Sequence, residues 1–223
     1  ISRLLASNDK EGANLQQNKA LEFSLFLTLP AAVALAVIAG PILSTLFERG
    51  HYSAADTEAT AAALMVYALG LPAYVIAKAL TPGYFARKDT KTPVRYAVIA
   101  LVVNTVLNII LIQYMAHVGL AAATAIAAWI NAGLLYYGLQ KRGHLTLLAS
   151  TRIKTLKCAA ASLLMGVVIW ALAGQLEPYF VTDGIVRIAA LAGLVGAGIG
   201  VYLIGITLLR TLSGAEIKGF IGR

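Results

Sequence analysis

Charge and cysteine are what this 223-residue chain has least of. Only 13% of its residues are Asp, Glu, Lys or Arg. A soluble domain carries about a quarter, so too little polar surface is present to cover a water-soluble globule. The single Cys cannot pair internally, which excludes a disulfide scaffold. The 20 Gly follow no triplet period, which excludes a collagen-like chain, and 59% hydrophobic residues exclude a disordered one. Converging catalytic groups are also lacking. His51, His117 and His144 fall in separate predicted loops, and Glu22, Glu48, Asp56, Glu58, Asp89, Glu177 and Asp183 sit at loops or helix ends. No Walker A motif, GxSxG elbow or metal-ligand spacing occurs. The sequence therefore predicts no enzyme, no metal site and no nucleic-acid partner.

What is present is apolar sequence in long runs. Mean hydropathy is +0.78, and charge-free stretches cover Phe23–Phe47, Ala59–Ala77, Tyr96–Gln140, Cys158–Leu176 and Ile188–Leu209. A spanning helix needs roughly 20 such residues. The third stretch is about twice that length and contains Ala116-His117-Val118-Gly119, where we divide it. None alternates in the period of two that a barrel strand requires. The expected fold class is all-α: a polytopic membrane protein with six helices near 21–46, 57–80, 94–115, 119–140, 155–175 and 186–209. The expected organisation is a polar linker helix (1–20), four spans (21–140), a loop (141–157), a final helix pair (158–209) and a tail (210–223). Asn8, three residues before Glu11, suggests a capping box at the start of the linker helix. The first residue is Ile and no cleavable signal precedes the first span, so the sequence reads as a piece of a longer chain.

Basic residues set the expected orientation. One set of connections holds Arg3, Lys10, Lys19, Arg87, Lys88, Lys91, Arg95, Lys141, Arg142, Arg152, Lys154, Lys157, Arg210, Lys218 and Arg223, fifteen of the 18 Lys and Arg. The opposite set holds Arg49 and Arg187, while Lys78 lies inside a span. Basic loops face the cytoplasm, so both termini are expected there. Tyr84, Tyr96, Tyr114, Tyr136, Tyr137 and Tyr179 fall near predicted helix ends, as interfacial aromatics do.

Within the spans, Asn104 and Asn108 are four apart and share a helix face. On antiparallel neighbours, Asn108 and Thr124 are expected at similar depth. Asn104, Asn108 and Thr124 then form either interhelical hydrogen-bond glue or an oxygen-ligand pocket for a monovalent cation. Asn131 reads as glue. Lys78 is expected to snorkel to the interface or to touch an anionic headgroup, and Arg87, Lys88, Lys91 and Arg95 are further headgroup or phosphate candidates. Asp89 and Pro93 are expected to organise their loop. Pro30 and Pro72 interrupt their spans. Gly193, Gly196, Gly198 and Gly200 form a small-residue stripe, suited to close helix packing or to a shallow lipid groove.

The stretch from Leu80 to Val94, Leu-Thr-Pro-Gly-Tyr-Phe-Ala-Arg-Lys-Asp-Thr-Lys-Thr-Pro-Val, resembles a cytoplasmic loop of the MurJ (MviN) lipid II flippases of the MOP transporter superfamily. Their loop reads Pro-x-x-Tyr/Phe-Ala-x-x-Asp-x-Lys/Arg-Thr-Pro. Leu29-Pro30, Gly40-Pro41 and Leu46-Phe47-Glu48-Arg49-Gly50 look alike too. The resemblance implies a partial MOP/MATE-like fold: the last six of about fourteen spans, four from the second lobe and then the final pair. It implies export of the undecaprenyl-pyrophosphoryl disaccharide-pentapeptide, lipid II, across the bacterial inner membrane for cell-wall synthesis. Partners would be lipid II, membrane lipids and the missing amino-terminal half, with no cofactor beyond a coupling ion, Na+ or H+. Asn104, Asn108 and Thr124 would stand where sodium ligands lie in some members, Asn108 in place of a carboxylate. The final pair would carry a groove for the polyprenyl tail. Two other readings stay open: another MOP-type exporter of a lipid-linked oligosaccharide or small cation, and a truncated, non-transporting scaffold.

Overall fold

The computed structural model describes residues 1–48, 51–180 and 184–209. Arg49, Asp183, Arg210, Lys218, Arg223 and the tail 210–223 lie outside the described residues. Seven helices follow in order: α1 (Ser2–Ala6), α2 (Lys10–Val37), α3 (Ala39–Phe47), α4 (Ala54–Phe85), α5 (Lys91–Lys141), α6 (Ala149–Phe180) and α7 (Ile185–Leu208). No strand occurs among the described residues. The fold is all-α, and five helices are long and apolar enough to cross a bilayer.

One of the five accounts for two crossings. A straight 51-residue α5 would be about 76 Å long, far beyond a hydrocarbon core of about 30 Å. At Ala116 the backbone leaves helical geometry (φ 47, ψ −129). Asn104 and Thr124, about 30 Å apart in a continuous helix, meet at 3.3 Å. A Cβ on Gly119 would run into the Leu111 carbonyl. The helix is thus a hairpin of two antiparallel arms, 91–115 and 117–141, and the chain makes six crossings.

The first crossing is assembled from two helices. Asp9 caps α2, its carboxylate accepting from the Gly12 N–H at 2.8 Å. Asn8 does not cap; it takes a left-handed turn (φ 60) between α1 and α2, so the cap falls one residue later than expected and the reciprocal half of the box is absent, because Gly12 stands where its Glu was expected. Pro30 is absorbed inside α2. The break comes at Ile38 (φ −109, ψ 26), and Pro41 sits in the first turn of α3, where no intrahelical N–H is needed. α4 opens on a capping box the sequence reading missed: Ser53 Oγ accepts from the Asp56 N–H (3.3 Å) and Asp56 from the Ser53 N–H (2.9 Å).

Helices pack as a strip in the order α5, α4, α2, α6, α7. Small residues let the first pair close. A Cβ on Gly70 would lie 2.9 Å from the Ala125 Cα, and Ala121, Ala123, Ala127, Ala128 and Ala132 are buried nearby. This is the packing by which membrane helices associate without a hydrophobic drive between them. Two cores result. Leu21, Leu80, Tyr84, Leu135, Leu139 and Leu145 join α2, α4 and α5 at the basic end. Ile38, Met165, Ile169, Leu194, Tyr202 and Ile206 join the first crossing to α6 and α7. No more than a third of the most apolar stretch of each of the five long helices is buried, so most of that surface suits hydrocarbon.

Helix ends differ from expectation at the basic end. α4 runs to Phe85 instead of 80, and α6 begins at Ala149, so the 141–157 connection shrinks to 142–148. Hydropathy marks only the lipid-buried part of a helix. Its polar ends continue past the membrane surface.

Candidate functional site

Two polar constellations stand out, one at the basic end and one inside the α5 hairpin. At the basic end, the turn between α4 and α5 passes through Lys88 in a left-handed conformation (φ 60). Asp89 then accepts from the Thr92 N–H at 3.0 Å, in the manner of a helix cap, and from Arg142 Nη1 at 2.5 Å. Arg142 Nη2 donates to Thr92 Oγ1 at 3.1 Å. Hydrogen bonds from Thr92, side chain and backbone, and then from Arg142 hold the Asp89 carboxyl at about 2, below its ordinary value. Asp89 therefore ties the start of the hairpin to its end. Pro93 is buried in the first turn of α5.

The connection 142–148 is stitched to α2 by amides. Asn14 Oδ1 accepts from the Thr146 N–H (2.9 Å) and Asn18 Oδ1 from the Leu148 N–H (3.1 Å). Both Asn14 and Asn18 donate to the Thr146 carbonyl. Gln17 donates to the Ala79 carbonyl at 2.8 Å. Glu22 takes Thr151 Oγ1 (2.7 Å) and Lys154 Nζ (3.0 Å), joining α2 to α6. None of these pairings was anticipated. The only sequence signal was Asn14 and Asn18 at helical spacing on a polar segment, and their partners are backbone groups far along the chain.

The five expected headgroup residues are not brought together. Lys78 is exposed on α4, seven residues before its end and not two, because the helix is longer than expected. Lys88, Lys91 and Arg95 are also exposed. Arg87 alone turns inward, donating to the Gly83 carbonyl (2.6 Å) and the His144 carbonyl (3.3 Å). It lines a cavity of about 1260 Å³ of mixed polar and apolar walls, with Lys10, Glu11, Arg142 and His144. Burial, then Arg87, Arg142 and Lys10, push the His144 imidazole below its ordinary value, with Asp89 opposing.

Inside the hairpin, Asn108 Nδ2 donates to Asn104 Oδ1 at 3.0 Å, Asn104 Nδ2 to Thr124 Oγ1 at 3.3 Å, and Thr124 Oγ1 to the Leu120 carbonyl at 2.8 Å. The three expected residues are contiguous, but Thr124 pairs with Asn104, one turn from the Asn108 expected. The arms are in register about residues 114–115, slightly before the kink. Asn108 Oδ1 and Asn131 Oδ1 are buried without a hydrogen-bond partner among the described residues.

Two further expectations need correction. Tyr84 is not an interfacial aromatic: it is buried, and its hydroxyl donates to the Leu135 carbonyl at 2.7 Å. The α7 glycine stripe divides. Gly198 packs near Ile169, while Gly193, Gly196 and Gly200 have nothing within 4 Å of an added Cβ. A groove of about 360 Å³ runs between α2, α6 and α7 past Pro30, Ile169, Leu194, Gly198 and Tyr202. Tyr202 closes one side by donating to the Phe26 carbonyl at 2.6 Å.

Such an assembly can hold polar groups between apolar rods; no group of three His, Cys, Asp or Glu stands together among the described residues. The chain has relatives of known family. Residues 1–191 match the family described as lipid II flippase MurJ. A probable lipid II flippase MurJ of Rhizobium tropici is 45% identical over 179 residues, covering 80% of this chain and 33% of that protein. One of Rickettsia prowazekii is 32% identical over 214 residues, covering 96% of this chain and 42% of that protein. A solved structure of lipid II flippase MurJ in an inward closed conformation superposes with a TM-score of 0.76 at 32% identity, covering 93% of this chain and 41% of that one. The chain thus spans between a third and a little over two fifths of the length of these relatives. The family match over residues 1–191, with 45% and 32% identity to these relatives and a superposable solved structure, places the chain in the MurJ lipid II flippase family, as a multi-pass membrane protein.

Proposed function

We propose that this chain supplies the last six crossings of a transporter that moves lipid II from the inner to the outer leaflet of the bacterial inner membrane. The family match over residues 1–191 carries the reading. The disaccharide-pentapeptide headgroup is too polar to enter hydrocarbon unaided, so a protein must enclose it while the tail stays in lipid. In this reading the basic end, with Arg87–Arg95 and the 142–148 connection, faces the cytoplasm, and both described ends of the chain lie on that side. The groove beside α7 is placed to take the polyprenyl tail, and exposed Lys88, Lys91 and Arg95 are placed to draw in the anionic precursor.

The hairpin trio is the candidate site for a coupling ion. Asn108 Oδ1 is the oxygen left free to take a monovalent cation, on the amide that bonds Asn104, which in turn reaches Thr124 Oγ1. The donors are neutral and few, which does not suit a divalent ion such as Ca2+, bound by six to eight oxygens including carboxylates. Sodium-dependent protection of the hairpin against hydrogen exchange, lost in Asn108→Leu, is the expected result. Equal protection in sodium and choline would remove the site.

Function is tested by complementation. With a cell's own flippase depleted, expression of this chain alone should leave the cells lysing, because the relatives' remaining length is needed for an enclosed path. The chain fused to the missing portion of a relative should rescue growth. Rescue by the chain alone would refute the division of labour, and failure of the fusion would refute the function.

A further inference from the structure

A second groove lies at the basic end, away from α7, and the transport reading does not use it. It is bounded by α2, α4, the second arm of α5 and the first two turns of α6, and holds about 490 Å³. That is within the roughly 300–1,000 Å³ of ligand-sized sites. Its walls include Leu25, Ile76, Leu80 and Trp129, and its rim at the α6 end carries Arg152 and Thr155. Trp129 lies twelve residues before Lys141, about 18 Å along the helix, so the groove extends over about one leaflet of a roughly 30 Å hydrocarbon core.

The rim is charged and unneutralised. Glu22, the carboxylate that joins α2 to α6, is already engaged by Thr151 and Lys154. Arg152 is exposed and makes no hydrogen bond or ion pair with the described residues, and the Thr155 hydroxyl likewise has none. Arg152 and Thr155, three residues apart on one face of α6 at the rim of an apolar slot one leaflet deep, match the phosphate and one acyl chain of a membrane lipid. We propose that this groove binds an anionic diacyl phospholipid, of the phosphatidylglycerol type, from the leaflet at the basic end. The phosphate sits on Arg152 and Thr155, and one chain runs along Leu25 and Leu80 to Trp129. The inference rests on the membrane placement of the chain and is independent of what the chain transports.

The test uses Trp129 as the reporter. The chain holds two Trp, and the other, Trp170, is 70% exposed, so Trp170→Phe leaves Trp129 alone. The full chain is placed in phosphatidylcholine nanodiscs containing a small mole fraction of chain-brominated phosphatidylglycerol or chain-brominated phosphatidylcholine. Brominated phosphatidylglycerol should quench Trp129 about fivefold more effectively per mole, the preference one basic side chain confers near an anionic surface. Arg152→Gln should bring the two lipids level, and Arg152→Lys should keep most of the preference. Thr155→Val should weaken it, which gives a second reading should Arg152→Gln fail to fold. Gly133→Leu should reduce quenching by both lipids, because a Cβ there meets nothing within 4 Å and fills the groove without a clash. Equal quenching by both lipids in the unmodified groove would overturn the proposal, as would a preference that survives Arg152→Gln. Absence of quenching that returns on removing residues 210–223 would also overturn it, by making the carboxy-terminal segment the occupant.

Discussion

Removing the Asp89 carboxylate should loosen the joint between the two ends of the hairpin by a predictable amount. Asp89 does two things: it caps the first turn of α5 through the Thr92 N–H, and it pairs with Arg142. Losing a cap of this kind costs about 1 kcal/mol. The ion pair is partly exposed, with side chains 44% and 24% accessible, so its share is about 0–1 kcal/mol. Asp89→Ala removes both and should cost about 1–2 kcal/mol locally; Asp89→Asn keeps a capping oxygen and should cost only the ionic part. Read as amide exchange at Thr92 in nanodiscs, 1.4 kcal/mol is tenfold. Asp89→Ala should therefore exchange about five- to thirtyfold faster and Asp89→Asn less than about fivefold. The pH dependence follows from a carboxyl held down at about 2. A depressed acid stabilises above its unfolded value and loses that contribution as pH falls through the folded one. Protection of Thr92 should thus stay level from neutral pH to about 5 and fall progressively below that, toward the folded value of about 2. Unchanged exchange in Asp89→Ala, or a loss of protection already above about pH 5, would refute the reasoning.

Three more outcomes follow from the same geometry. Ala116→Gly should stabilise the hairpin by up to about 1 kcal/mol, since Ala116 holds a φ of 47 that glycine adopts without strain; a lower melting temperature would contradict it. Gly70→Leu should destabilise α4 against α5 by about 1–3 kcal/mol through overpacking, because the added Cβ would lie 2.9 Å from the Ala125 Cα; unchanged thermal stability would contradict it. His144 has its value lowered by burial and by Arg87, Arg142 and Lys10, so its neutral form contributes stability above the unfolded value near 6.5 that is lost as pH falls further. Protection of 142–148 should fall between pH 7 and 5 in the unmodified chain and stay flat in His144→Gln. Equal acid sensitivity in both would contradict it.

The crossings and the hairpin were readable because a charge-free run twice the thickness of a bilayer must fold back, and the stretch Ala116–Gly119 marked where. Helix ends were not, since α4 and α6 continue into water where hydropathy gives no stop. The cap fell on Asp9 and not Asn8: both residue types cap, and only the backbone path decides between them. Asn104, Asn108 and Thr124 were legible as a group through helical spacing, but their pairing depended on the hairpin register, which a single residue at the turn shifts. The amide stitches from Asn14 and Asn18 to Thr146 and Leu148 were invisible, because their partners are backbone groups that any sequence would present.

The account depends most on α5 returning to the side from which it starts, with that side cytoplasmic. The sole cysteine allows a direct measurement. In a Cys158→Ser background, a cysteine is placed at Lys88 or at His117, and intact cells are treated with a maleimide that cannot cross the inner membrane. The His117→Cys protein should be labelled and the Lys88→Cys protein should stay unlabelled until the membrane is opened; labelling of Lys88→Cys in intact cells would contradict the orientation, and protection of both positions would contradict the hairpin.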